Sequence, residues 1–152
     1  MKSAIVLAAI GLTTLGFASS ANAFKFSPPN TKFSGTGPTS ATKGGVTLSC
    51  TGTLKGSTNA KGIGKVTGGS FTGALGCSSV GLTGLPWPMK ATSATTGTVS
   101  KVTFTSPIGS CGPGTLPVHL SGGVISFNFL LNPGACQITG SLTTHPTISI
   151  VP

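Results

Sequence analysis

Val46-Thr47-Leu48-Ser49-Cys50-Thr51-Gly52-Thr53-Leu54-Lys55 puts Val46, Leu48, Cys50, Gly52 and Leu54 on one face of an extended chain. Thr47, Ser49, Thr51, Thr53 and Lys55 fall on the other. A strict period of two is the pattern of a half-buried antiparallel strand, because successive side chains leave a sheet on opposite faces. The same alternation returns downstream. Leu116, Val118 and Leu120 lead to Gly122-Gly123, after which Ile125, Phe127, Phe129 and Leu131 share a face. Two glycines accept positive φ at both central positions of a tight turn, so this stretch reads as a hairpin. Asn132-Pro133-Gly134 supplies the next turn, Cys136, Ile138, Gly140 and Leu142 alternate again, and Thr147 to Val151 reads as a last strand. Weaker candidates are Val66–Leu75, Val80–Leu85, Met89–Ala94 and Thr98–Ser106, with Gly56–Gly64 as a polar turn or loop.

The expected fold is therefore all-β: an antiparallel β-sandwich, Ig-like or related, of roughly eight short strands stapled by two disulfides. A barrel is the second choice. At 152 residues one compact domain is expected. Residues 1–23 read as a signal peptide: Lys2 provides the positive start, Ala4 to Ala18 an apolar stretch, and Ala21-Asn22-Ala23 a small-x-small cleavage site. Residues 24–45 have no sustained periodicity and read as an N-terminal lead-in, with Phe24, Phe26 and Phe33 as anchors. The β-sandwich domain would occupy 46–152. Cleavage near Ala23 would make the product secreted, at the cell surface or in the extracellular matrix.

Export decides how the cysteines read. Cys50, Cys77, Cys111 and Cys136 would meet an oxidising compartment, where an even count favours disulfides. Zinc is the competitor, but the chain has no C-x-x-C pair and its two histidines are isolated. Four cysteines allow three connectivities. Cys50–Cys77 with Cys111–Cys136 is preferred, since each pair closes a loop of similar length within its own half.

The charge pattern excludes whole classes of chemistry. The chain has nine Lys, no Arg, and neither Asp nor Glu. No Ser-His-Asp triad, paired-carboxylate glycosidase or carboxylate-held magnesium site can be assembled from such side chains. His119 and His145 lack an acidic partner to orient them as bases, so no catalytic residue, metal site or cofactor is assigned. Lys55, Lys61 and Lys65 form a small concentration and are the candidate contact for an anionic cell-surface polymer. Nucleic acid is not an expected partner, because the chain has no recognition motif and no Arg. The remaining distinctive segment is Leu85-Pro86-Trp87-Pro88-Met89, where two prolines fix an extended path around the only Trp. It reads either as a strand entry whose Trp fills the core or as an exposed contact, Leu85, Trp87 and Met89, for a hydrocarbon or lipid interface.

The signal peptide, the four-cysteine framework, Leu85-Pro86-Trp87 and the closing Cys136-Gln-Ile-Thr-Gly-Ser-Leu142 strand resemble the bacterial protein activators of alkane oxidation. These are small secreted proteins of pseudomonads and relatives. The resemblance implies an extracellular, non-catalytic accessory that promotes growth on long-chain alkanes by helping cells contact or disperse hydrocarbon. The alternative is a structural or adhesive protein of the biofilm matrix or a surface fibre, in which self-association by strand addition would operate.

The missing carboxylates have a measurable corollary. Between about pH 2 and 5 only the C-terminal carboxyl titrates, so side chains in the folded and unfolded chain take up no protons and stability stays level. Chemical denaturation at intervals across that range is expected to give one midpoint throughout. An acid unfolding transition near pH 4 would contradict this account of the chain's charge.

Overall fold

The computed structural model describes residues 23–152, and the expected signal peptide lies outside them except for Ala23. Eleven strands occur in the order β1 (Lys25–Ser27), β2 (Lys32–Lys43), β3 (Val46–Thr58), β4 (Gly64–Gly73), β5 (Gly81–Leu82), β6 (Trp87–Ala91), β7 (Thr96–Ser106), β8 (Gly109–Ser121), β9 (Val124–Leu131), β10 (Cys136–His145) and β11 (Ser149–Val151). Among the described residues a single 3-10 turn, Cys77–Ser79, sits in the connection from β4 to β5. Strands β2, β3, β4, β6, β7, β8, β9 and β10 pair antiparallel in that sequence, and β10 returns to pair with β2. The result is a closed eight-stranded, up-and-down barrel. The expected sandwich is corrected on this point. Alternation is the same on a sandwich strand and a barrel strand, and only the pairing of the last strand with the first separates them.

That closing strand is β2, which lies in the segment expected to be a lead-in. Its inward positions are Phe33, Gly35, Gly37, Thr39 and Ala41, too small and too mixed to show an apolar period. It turns into β3 through Gly44-Gly45, with φ of 58° and 79°, as β8 turns into β9 through Gly122-Gly123, with φ of 58° and 77°. Positive φ at both central residues gives the turn whose twist matches the flanking strands. The period read from Val46–Lys55 holds for Leu48, Cys50 and Gly52, which are buried, against Thr47, Ser49 and Thr51, which are exposed; Val46, expected on the inward face, is instead exposed at the start of the strand.

Glycine inside the barrel makes room for aromatic rings. Gly52 lies opposite Phe71, Gly56 opposite Phe33, and Gly140 opposite Phe127. A Cβ on Gly52 would stand 2.9 Å from Phe71 Cε1, and one on Gly56 2.6 Å from Phe33 Cζ. Each ring therefore fills the space a Cβ would take on the neighbouring strand, a cross-strand pair that covers bare backbone and supplies the missing apolar surface. On the outer face, hydroxyls take the place that ion pairs hold elsewhere. Thr36 and Thr53 approach to 3.1 Å, Thr42 and Thr47 to 2.7 Å, and Ser40 and Thr139 to 2.6 Å.

The two ends of the barrel are closed differently. At one end the β1–β11 ribbon crosses the opening and drives Phe26 and Ile148 into the core. There the Thr144 hydroxyl donates to the Gly123 carbonyl at 2.7 Å and accepts from the Ile148 amide at 3.0 Å. At the other end are both disulfides, Cys50–Cys77 and Cys111–Cys136. The first ties the 3-10 turn to β3 beside Leu48, Phe71, Val80 and Ile108. The second joins the starts of β8 and β10.

Trp87 and Met89 are only 3% exposed and belong to the barrel core. Their expected role as an outward apolar contact is corrected: β6 alternates, so Pro88 and Lys90 face water while Trp87, Met89 and Ala91 face in. The indole N–H donates to the Thr83 carbonyl at 2.9 Å, which satisfies the one polar group of the ring. Of the segment's three apolar residues only Leu85 remains at the surface.

Both disulfides close loops of similar span, with sequence separations of 27 and 25. Chain entropy puts each at roughly 3.5 kcal/mol. The Cys50→Ser/Cys77→Ser pair is expected to lose about 3 kcal/mol in guanidinium unfolding while keeping its β spectrum. A loss below about 1 kcal/mol would show that the 3-10 turn is held by packing alone.

Candidate functional site

The outer surface is polarised along the barrel axis. Lys55, Lys61 and Lys65 stand together on and around the β3–β4 hairpin, and all three are exposed. The fold brings more lysines to the same end. Lys32 and Lys65 flank Ser57 from its two sides, so they lie two strands apart on one face. Lys25 packs its side chain against Gly62 in the hairpin loop, and Lys90 lies near the end of β6. Of the described lysines only Lys43 and Lys101 lie elsewhere. Lys43 is at the disulfide end, where its ammonium donates to the Ser110 carbonyl at 2.7 Å. Side-chain carboxylates are missing from the chain, so the lysine end carries unpaired positive charge. Spacing in the sequence showed three of these residues. The others come from β1, β2 and β6, and only the barrel register assembles them.

The disulfide end carries exposed apolar side chains. Val46 is 56% exposed beside the Gly44-Gly45 turn, Leu75 fully exposed in the β4–β5 connection, and Leu130 47% exposed at the end of β9. Ile63 is the exception, an exposed apolar residue at the lysine end. The molecule is thus basic at one end and apolar at the other.

The interior is a third feature. A cavity of about 110 Å³ lies along the barrel, lined almost wholly by apolar atoms from residues such as Phe33, Leu54, Phe71, Trp87, Val102 and Ile138. An eight-stranded barrel has an interior just wide enough for its side chains or for one small guest. His119 and His145 are exposed, on β8 and at the end of β10. All four cysteines are in disulfides, and among the described residues no three His, Cys, Asp or Glu side chains come together. The arrangement offers two contrasting ends and an apolar cavity.

No curated protein and no solved structure matches this chain. A family model does, over residues 1–152: alkane oxidation protein activator PraA/PraB-like. The match spans the cysteine framework and every strand described above, and the chain belongs to the PraA/PraB-like family of alkane oxidation protein activators.

Proposed function

We propose that this protein is a secreted, non-catalytic accessory to alkane use that holds cells and hydrocarbon together. The observation that carries the proposal is the axial polarity of the barrel: Lys25, Lys32, Lys55, Lys61, Lys65 and Lys90 at one end, and Val46, Leu75 and Leu130 at the other. Exposed apolar side chains gain roughly 25 cal/mol for each Å² they remove from water, which favours the apolar end settling on oil. Anionic polymers on a cell surface attract the lysine end, with a strength that falls as salt shortens the Debye length to about 8 Å at physiological ionic strength. The family name supports a role in alkane oxidation, and the absence of Asp and Glu supports a role outside the chemistry itself. Two disulfides suit a protein that works in an oxidising, extracellular setting.

Adsorption of the purified chain to hexadecane droplets tests this. Monomers are expected to adsorb saturably and to tolerate salt. Leu75→Lys combined with Leu130→Lys is expected to weaken adsorption at least tenfold, because burying one leucine is worth roughly 1.5–3 kcal/mol and ~1.4 kcal/mol is a factor of ten. Replacing Lys55, Lys61 and Lys65 by Gln should leave droplet binding intact and reduce retention on cells at low salt. Unchanged adsorption of the leucine variant would overturn the proposal, and so would assembly into fibres in place of adsorption, which would point to a matrix protein.

A further inference from the structure

The barrel wall is not hydrogen-bonded over its full height. Strand β6 has only five residues and pairs with β4 only at Gly64, Lys65 and Val66. From Gly68 to Gly73, β4 pairs with β3 alone. The next piece of wall on that side is β5, whose two residues pair only with β7, Gly81 opposite Thr105 and Leu82 opposite Phe104. Between upper β4 and β5 the wall is therefore made of side chains. A Cβ on Gly69 would stand 2.7 Å from Leu54 Cδ2 and 2.9 Å from Leu82 Cδ1, so those two leucines meet over the bare backbone of β4. Leu54, Phe71 and Leu82 are partly exposed at this seam and line the cavity behind it. The connections on either side of β5 carry exposed Leu75 and Leu85.

We infer that the barrel interior is a binding site for a single unbranched alkyl chain, which enters through the seam between β4 and β5. The inference rests on the hydrocarbon-handling role proposed above and adds to it a site and a guest. Chemistry and shape both lead there. The cavity of about 110 Å³ is of the same order as the roughly 150 Å³ apolar cavity that stays dry and admits benzene. Its lining offers a water almost none of the two to four polar partners needed to hold it. Along β7 the lining extends from Val99 to Ser106, roughly 23 Å of strand at ~3.3 Å per residue. A lining that runs that far along the strand suits an extended chain of methylenes. At the seam the moving parts are leucine and phenylalanine side chains, and no backbone ladder has to break for a chain to pass.

Trp87 is the only Trp and lines the cavity, so it reports occupancy. Bromine quenches indole fluorescence on contact, and the guests are therefore bromooctane, octanoate brominated at its methyl end, and bromoadamantane as a rigid cage. The full exported chain is titrated as monomer, below guest saturation, with no droplets present. Either linear guest is expected to quench Trp87 saturably at one guest per chain, while the cage does not. Quenching by both linear guests assigns the site to the alkyl chain whatever its headgroup, and quenching by bromooctane alone assigns it to bare hydrocarbon. Gly69→Leu at the seam and Ala41→Leu on β2, two strands away, should each weaken quenching by about tenfold, the loss of burying some two methylenes. Both should keep the wild-type β spectrum, and two variants on different strands keep one misfolded protein from deciding the result. Absence of quenching by both linear guests, quenching without saturation, or equal quenching by the cage would overturn the inference. Silence of Trp87 with droplet adsorption intact would remove the cavity site and leave the bridging role standing. Quenching without adsorption would do the reverse.

Discussion

The antiparallel pairing of β10 with β2, from Gln137 opposite Thr42 to His145 opposite Ser34, is the constraint on which the other features depend. Without it the remaining strands would form an open sheet with two long edges, each a template for pairing with another chain. With it, every inward side chain faces a common axis and has to fit a fixed circumference. That requirement explains the glycines at Gly52, Gly56 and Gly140. A barrel of eight strands has little interior space, and the Phe71, Phe33 and Phe127 rings can lie in it only over positions without a Cβ. All three rings line the cavity.

Closure also sets the character of the outside. Outward positions are mostly Thr, Ser and Lys, and with no carboxylate available the cross-strand contacts are hydroxyl to hydroxyl. Such pairs do not neutralise lysine, so the positive charge stays unpaired and is segregated toward one end by the register of β2, β3 and β4. The apolar side chains left exposed at the turns of the opposite end have no ionic rim around them apart from Lys43, which is turned onto the Ser110 carbonyl. The polarity of the molecule therefore follows from the same strand pairing that closes the barrel.

Much of this was legible in the sequence, and the misses have physical causes. Strand β3, the β8–β9 hairpin and β10 were readable because large apolar residues mark their inward faces, and the observed disulfides each close a loop within one half of the chain, as loop length suggested. Strand β2 was hidden because its inward face is Gly35, Gly37, Thr39 and Ala41, which carry almost no periodic hydrophobic signal. Missing β2 meant missing closure, and a sandwich became the natural reading of strands with no closing partner. Gly44-Gly45 was the available clue, since it has the same form as Gly122-Gly123. Trp87 between two prolines had two readings, and the alternation of Trp87, Met89 and Ala91 into the barrel selects the core one. The lysine end was half legible: Lys55, Lys61 and Lys65 are close in sequence, whereas Lys25, Lys32 and Lys90 join them only through tertiary pairing.

The central claim is that a closed barrel presents oil with one end and the cell with the other, and a footprint of the protein at an oil surface tests it most directly. Hydroxyl-radical labelling read by mass spectrometry would compare the free monomer with protein adsorbed to hexadecane droplets. Protection of Val46, Leu75 and Leu130, with Lys55, Lys61, Lys65 and Lys90 labelled as in the free protein, is the result this account predicts. Protection of the lysine end, or uniform protection over the whole surface, would contradict it.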